Sequence, residues 1–127
     1  MTYLQSYKEL IVWQKSMELA REIYLLTKNF PKSELYGIVM QIRRAVVSIP
    51  SNIAEGYGRK STKEFIQFST IAYGSLLELE TQLILSKQLK FVEEIKFIRS
   101  EQLLEEISKM LRSMIMKLKT KSLSAIR

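Results

Sequence analysis

Residues 35–53, with the sequence LYGIVMQIRRAVVSIPSNI, decide the fold class of this chain. Their aliphatic side chains recur at steps of four, three, four, three and four, at Leu35, Val39, Ile42, Val46, Ile49 and Ile53. This spacing places them on one face of an α-helix, because a helix turns once every 3.6 residues. Burying each of them contributes on the order of 1.5–3 kcal/mol before entropy is counted. The stretch therefore predicts an amphipathic helix that packs against other helices.

This second helix of the chain is predicted to begin after an N-cap at Ser33 and to end at Gly56 and Gly58. Pro50 lies inside it, where proline removes a backbone hydrogen bond and costs about 3 kcal/mol. The aliphatic spacing nevertheless stays in phase across the proline. The sequence therefore favours one helix kinked at Pro50, and two separate helices are the alternative.

Two further helices are predicted on either side of this one. The first runs from about residue 10 to residue 29 and ends before Pro31, because a residue that precedes proline is driven out of the helical region. The third begins at the capping box Ser61–Glu64 and continues to about Lys87. Gly74 inside it costs roughly 1 kcal/mol relative to alanine, and we expect it to allow a neighbouring helix to approach closely.

A fourth helix follows a turn near Lys90 and keeps a seven-residue apolar repeat from Phe97 to Leu118. Short connections between long helices favour antiparallel neighbours. The prediction is therefore an all-α fold, an antiparallel up-down-up-down four-helix bundle with its second helix kinked at Pro50. Residues 1–127 form a single domain whose C-terminal end, from about residue 109, is basic.

The composition argues against catalysis. The chain contains no Cys and no His, so it has no thiolate nucleophile and no side chain whose ordinary pKa lies near neutrality. No glycine-rich phosphate-binding motif is present. A two-metal site in a helical bundle needs Glu-x-x-His pairs, and a chain without His cannot form them. The acidic residues Glu101, Glu105 and Glu106 are therefore predicted to form a solvated face. We therefore expect no catalytic site, no metal and no cofactor.

The sequence also has no apolar run as long as the roughly 18 residues of a membrane span. Residues 1–8 lack the apolar centre of a signal peptide, and the absence of Cys fits a reducing compartment. These features predict a soluble, cytoplasmic protein without a membrane partner.

The net charge of +7 is concentrated near the C-terminus, where residues 109–127 hold six cations and no acid. Such a segment attracts polyanions, of which a nucleic-acid backbone is the commonest in cells. The alternative is that these cations stabilise the C-terminal end of a helix dipole, although a dipole explains one turn and not three.

Two other places add cations. Arg43 and Arg44 lie in the apolar second helix, where a structural or interface pairing, such as that of one of them with Glu55 or Glu78, is favoured over a nucleic-acid contact. Three more cations, Arg59, Lys60 and Lys63, lie near the predicted start of the third helix. Free backbone amides and positive charge meet there, which favours an anion site over simple solvation of the three side chains. The candidate nucleic-acid contacts are therefore Arg43, Arg44, Arg59, Lys60, Lys63, Lys117, Lys119 and Lys121.

The first and third helices have more apolar surface than one bundle interior can bury. On the third helix, a second stripe runs beside the inward face, at Ile66, Tyr73, Leu77 and Ile84. Surplus apolar stripes suggest an interface with further copies of the chain.

Several motifs resemble the bacterial family of 23S rRNA intervening sequence proteins. They are LIVWQK (10–15), FP (30–31), QIRRA (41–45), SIPSNIAEGYGR (48–59), STKEF (61–65) and AYGSLLELE (72–80). The likeness covers about residues 7–90, and in the fourth helix it is one of pattern only. It implies a four-helix bundle with a kinked second helix. It also implies a family of poorly established function, whose relatives form ring-shaped homopentamers or act as nucleic-acid-binding accessory proteins.

Two hypotheses follow. In the first, the chain is a homo-oligomeric accessory protein that binds RNA or other nucleic acid through its basic regions. In the second, it is a homo-oligomeric scaffold for a partner protein, and its charge serves solubility alone.

Overall fold

The computed structural model describes the backbone of residues 5–126 and the side chains of residues 5–121. Within this range the chain forms four α-helices and no strand, which confirms the predicted all-α class. The helices are α1 (Ile11–Thr27), α2 (Met40–Tyr57), α3 (Thr62–Gln88) and α4 (Ile98–Ile126). None of these helices is long and apolar enough to cross a membrane.

Each predicted apolar face supplies side chains to one buried core. The first helix contributes Leu19, Ile23 and Leu26, and Phe30 follows from the connection after it. The other three contribute side chains that are less than a tenth exposed, namely Ile42, Val46, Ile49 and Ile53 of α2, Ala72, Leu76, Leu79 and Leu83 of α3, and Leu104, Ile107 and Leu111 of α4. The helical period therefore identified most of the core correctly.

Contacts between α1 and α4 show how these two helices lie. Residues 10–12 and residues 109–118 line one groove at the start of α1. At the other end of α1, the ring of Phe30 lies 5.3 Å from that of Phe91 and 6.2 Å from that of Phe97. Residue numbers thus rise along one helix as they fall along the other, and the pair is antiparallel. The complete up-down-up-down order of the four helices stays a prediction.

The start of α2 differs from the prediction. Ser33 is not an N-cap, because it lies in a 3₁₀ turn, Lys32–Glu34, that leads into a π-type turn, Leu35–Val39. Gly37 has non-helical dihedral angles (φ −109°, ψ −114°), which separate this turn from the regular helix that begins at Met40. As a result Leu35 is 44 % exposed and does not join the buried face that it was predicted to begin.

Helix α2 continues through Pro50 without a break, so the alternative of two separate helices is wrong. Pro50 itself is buried, and the side-chain amide of Asn52 donates to the carbonyl oxygen of Ser48 (2.8 Å) and to its hydroxyl (2.9 Å). These bonds add side-chain support to the turn that lacks the proline amide. The kink at Pro50 stays a prediction.

The close approach between helices occurs at a different glycine from the one predicted. A Cβ atom on Gly74 would meet nothing within 4 Å, so no helix of this chain packs closely there. A Cβ atom on Gly56 would lie 2.7 Å from the Cβ of Phe68 and 3.1 Å from Cδ1 of Phe65. The close approach between helices therefore occurs at Gly56, between α2 and α3, whereas α2 ends at Tyr57 with Gly58 as its C-cap.

The predicted ends of α3 are correct. The Ser61 hydroxyl accepts from the backbone amide of Glu64 at 3.1 Å and donates to the Glu64 carboxylate at 3.0 Å. At the other end, Lys90 has a positive φ of 58°, and the amide of Phe91 donates to the carbonyl oxygen of Ser86 at 3.2 Å. This bond is the six-residue closure of a Schellman motif, which ends the helix at the predicted turn.

The three acids predicted to form a solvated face on α4 are 42–70 % exposed, and each of them also makes an ion pair. Glu101 pairs with Lys87 of α3 at 3.0 Å, and Glu106 pairs with Lys15 of α1 at 3.4 Å. Glu105 pairs with Lys109 within α4 at 3.3 Å. The acidic half of α4 lies close enough to its neighbours for their cations to reach it, which periodicity alone does not show.

The contribution of the Lys87–Glu101 pair to the stability of the fold is lost at alkaline pH. The hydrogen bond to Glu101 raises the pKa of Lys87 above 10.5 and outweighs the opposing effect of desolvation. A lysine whose pKa is higher in the folded state than in the unfolded chain stabilises the fold, and this effect is complete at pH values below the unfolded-state pKa. The stabilisation is lost as the pH rises through the folded-state pKa. We expect Glu101→Gln to lower the pKa of Lys87, which an NMR titration of its side chain would measure. An unchanged pKa in this variant would contradict the assignment.

Candidate nucleic-acid interface

The first candidate, Arg43, is engaged within the chain. Its Nε donates to the hydroxyl of Thr27 at 3.0 Å, and its guanidinium lies 4.6 Å from the centre of the Tyr24 ring. Both partners belong to α1, so Arg43 joins α2 to α1. The expected pairing of Arg43 with Glu55 or Glu78 is wrong, because the arginine lies on the side of α2 that faces α1.

Arg44, the next residue, has a different environment. It is exposed and forms no ion pair within 4.0 Å among the described residues. It lines a cleft of about 450 Å³ between α2 and α3, together with Gln41, Ser48, Ser75 and Glu78. The predicted ion pair between Arg44 and Glu78 is therefore absent, although both side chains border the same space.

At the α2–α3 junction, Arg59 is largely neutralised. Its guanidinium contacts Glu55 at 2.8 Å and Glu64 at 3.9 Å, and it lies 4.8 Å from the centre of the Phe68 ring. Its role is to hold the end of α2 against the start of α3. Since Ser61 already caps the first turn of α3, the junction is a weaker anion site than the sequence suggested.

Lys60 and Lys63, in contrast, are exposed and have no carboxylate within 4.0 Å in the described part of the chain. With Arg59, Glu55 and Glu64 beside them, the junction keeps one net positive charge (three cations against two acids). It can contribute attraction to a polyanion, but it does not form a dedicated pocket for one.

Another basic surface lies on the second half of α4. A shallow groove of about 650 Å³, here called the α4 strip, is lined by Lys109, Arg112, Ser113, Met116, Lys117 and Thr120. No carboxylate lines it, and Met116 at its centre is 69 % exposed. Cations with adjacent hydroxyl donors, spaced along one helix, suit the oxygens of consecutive phosphates.

The three lysines predicted in the tail do not share one surface. At 100° per residue, Lys117 and Lys121 project from one side of α4 and Lys119 from nearly the opposite side. All three are exposed. Leu118 is the last α4 residue that lines the groove at the start of α1. Helix α4 continues for eight residues beyond it, a length of about 12 Å. The end of α4 therefore presents cations on two sides, and Arg127 lies outside the described residues.

Sequence reasoning missed Arg112 and the hydroxyls of Ser113 and Thr120 as members of this surface. Arg112 makes no ion pair among the residues with described side chains. Its spacing was the available signal, because residues 109, 112 and 116 follow one another by three and four and so lie on one side of a helix. The prediction of the tail lysines used the number of charges alone, whereas membership of the α4 strip depends on which side of the helix a residue lies.

The described residues contain no group of three or more acidic side chains that could hold a metal ion. Nothing in their arrangement points to catalysis.

Comparison with known proteins places this chain in a family. A family model for the 23S rRNA-intervening sequence protein matches residues 8–113 and so extends into α4, beyond the motifs that carried the resemblance. None of the curated proteins matches the chain. A solved structure from Bacteroides thetaiotaomicron, described as a protein of unknown function from the S23 ribosomal protein family, is similar with a TM-score of 0.74. It is 29% identical, and the match covers 83% of this chain and 98% of that one. The chain therefore belongs to the 23S rRNA-intervening sequence protein family.

Proposed function

We propose that this protein is a non-catalytic accessory protein that binds structured RNA as a homo-oligomer, for which the family resemblance implies five copies. The observation that carries the proposal is the division of charge along α4. The acids Glu101, Glu105 and Glu106 make ion pairs. The cations of the second half, Arg112, Lys117, Lys119 and Lys121, have no carboxylate within 4.0 Å among the described residues. Cations without an intrachain partner remain available to phosphates.

An antiparallel, up-down-up-down order of the helices is part of the proposal. This order would put the α2–α3 junction at the same end of the bundle as the C-terminus of α4. Lys60 and Lys63 would then add to the field of the α4 strip, although they are more than forty residues from it in sequence. The groove shared by residues 10–12 and residues 109–118 supports this order.

The test measures RNA affinity by fluorescence anisotropy as a function of salt. We expect the variant Lys117→Glu, Lys119→Glu, Lys121→Glu to bind at least ten-fold more weakly at 50 mM salt. Each phosphate contact contributes about 0.7–0.9 to the slope of log K against log salt, so losing Lys117 and Lys121, which share one side of α4, would reduce the slope by about 1.4–1.8.

A matched control separates the site from overall charge. Lys28, Lys32 and Lys90 are exposed, and the contact of Phe30 with Phe91 puts them at the other end of the bundle. Replacing these three lysines with glutamate changes the net charge by the same amount as the first variant. We expect this control to keep most of its affinity for RNA. Equal losses in both variants would show that RNA responds only to net charge, and the proposed site would be wrong.

A scaffold for a partner protein is the second candidate, and exposed apolar side chains favour it. Tyr36 is 84 % exposed, and Leu77 and Ile84 are 44 % and 52 % exposed. Purification with nuclease treatment distinguishes the two functions. Retained RNA supports the first, whereas nucleic-acid-free protein with a bound partner chain supports the scaffold.

A further inference from the structure

Gly74 has no function within the fold of one chain. It lies inside the 27-residue helix α3, where glycine is unfavourable relative to alanine, and a Cβ there would meet nothing within 4 Å. Around it lies an exposed surface, here called the α3 outer face, which consists of Ile71, Gly74, Leu77, Glu78 and Leu85. Ile71 and Leu77, one turn before and after the glycine, are 46 % and 44 % exposed. A bare glycine between two aliphatic side chains suits the close approach of another polypeptide.

A second unpartnered surface lies between α1 and α2. This α1/α2 groove has a volume of about 700 Å³ and is lined by Tyr24, Leu35, Tyr36, Val39, Met40, Arg43, Arg44, Val47, Ser48 and Ser51. It contains two guanidinium groups and no carboxylate. Exposed tyrosine, methionine and arginine are the residues that protein interfaces favour.

The charges of the two surfaces are complementary. Glu78 of the α3 outer face accepts from Gln82 but has no cation within 4.0 Å in the described part of the chain. Arg44 of the α1/α2 groove has no carboxylate within that distance among the side chains that the structure describes. If two grooves met each other, their arginines would repel, and if two α3 outer faces met, the grooves would stay exposed. A contact between the α3 outer face of one copy and the α1/α2 groove of another covers both surfaces. It also brings Glu78 close to Arg44, so that the two charges are paired.

We propose that the α3 outer face of one copy of this chain docks into the α1/α2 groove of the next, with Glu78 of the first beside Arg44 of the second. The inference rests on the self-association in the proposed function and names the surfaces that meet. At 1.5 Å per residue, α3 spans about 21 Å from Ile71 to Leu85, and the groove side of α2 spans about 17 Å from Met40 to Ser51. Gly74 brings the docked helix close enough for Ile71 and Leu77 to contact the apolar groove.

This contact joins different surfaces of the two copies, so it is heterologous. Each copy offers one α3 outer face and one groove, and addition therefore continues until a ring closes or a filament forms. A two-fold dimer would instead need the α3 outer face of each copy to meet the groove of the other within one self-complementary interface.

The competing explanation is a pair within one chain, because Arg44 and Glu78 of the same copy border one cleft. Charge reversal followed by mixing separates the two explanations. We expect Arg44→Glu and Glu78→Arg each to be monomeric alone by light scattering, since each brings like charges together. An equimolar mixture should associate again into even-numbered assemblies, because the reversed charge of each variant then meets its complement on the other, whereas a ring of five cannot alternate the two variants throughout.

Three results would overturn this interface. If the mixture stays monomeric while the chain carrying both substitutions associates, the pair acts within one chain. If both single variants associate like the wild type, the copies meet through other surfaces and only this inference fails. If the wild type itself is monomeric, the proposed homo-oligomer fails as well, whereas the RNA titrations of the α4 strip remain an independent measurement.

A steric variant provides a second measurement that does not depend on charge. Gly74→Leu should abolish association, because the side chain would hold the docked helix away from the groove, while circular dichroism shows an intact fold. Gln102→Leu, on the exposed surface of α4 and outside the α4 strip, is the matched control and should associate normally. Association of Gly74→Leu at wild-type strength would contradict the docking of the α3 outer face.

Discussion

Replacing Phe97 by alanine is expected to lower the free energy of unfolding by about 3–5 kcal/mol. Phe97 is fully buried, and its ring lies 6.2 Å from that of Phe30. It comes immediately before α4, so it attaches the start of that helix to the end of α1. Removing the ring would leave a cavity that helix backbones cannot fill by small shifts. Since whole domains are stable by only about 5–15 kcal/mol, this one change would remove a large part of the total.

Urea denaturation followed by circular dichroism measures this effect. The control is Ile95→Ala in the same short 3₁₀ turn, Glu94–Phe97, where Ile95 is 66 % exposed. An exposed substitution of this kind should change the unfolding free energy by less than about 0.5 kcal/mol. Similar losses in the two variants would show that Phe97 does not anchor α4 as described.

Gly56→Ala is expected to destabilise the fold by about 1–3 kcal/mol through overpacking. The added methyl group would lie 2.7 Å from the Cβ of Phe68, an atom that can move only if α3 moves. Alanine favours the helix by up to about 1 kcal/mol, so the measured loss is what remains after this gain.

Gly58→Ala is the matched control two residues away. Gly58 is exposed and has φ −76°, which alanine adopts freely, and its added methyl group would approach no atom closer than 3.6 Å. We expect this variant to be as stable as the wild type or up to about 1 kcal/mol more stable. The comparison uses urea denaturation of both variants, and a Gly56→Ala protein as stable as Gly58→Ala would contradict close α2–α3 packing at Gly56.

Much of the fold could be predicted because helix formation depends on neighbours in sequence. The spacing of aliphatic residues identified Ile42, Val46 and Ile49 as buried, and the Ser61–Glu64 capping box identified the start of α3. The prediction was wrong at Ser33 and Leu35. A π-type turn and the non-helical dihedral angles of Gly37 delay the start of α2 there, and no pattern of apolar residues signals this.

The candidate site was only partly predictable. Charge alone identified Arg43, Arg59 and the lysines near the C-terminus as equivalent cations. The structure distinguishes them, because Arg43 is engaged with α1 and Arg59 with two carboxylates, whereas Lys117 and Lys119 have no such partner among the described residues. Whether a cation is available depends on which acids lie within a few ångströms, and that distance is a property of packing.

By itself, the sequence determined the positions of the helices, their buried faces, the lack of His and Cys, and the excess of positive charge at the C-terminal end. These properties depend on residue type and on spacing within a few turns. Only the tertiary structure decided that helices approach closely at Gly56 and not at Gly74, and that Glu101 and Glu106 are paired while Arg112 has no carboxylate partner among the described side chains. The reason is that each of these outcomes depends on which side chain a neighbouring helix places opposite, and residues distant in sequence set that choice.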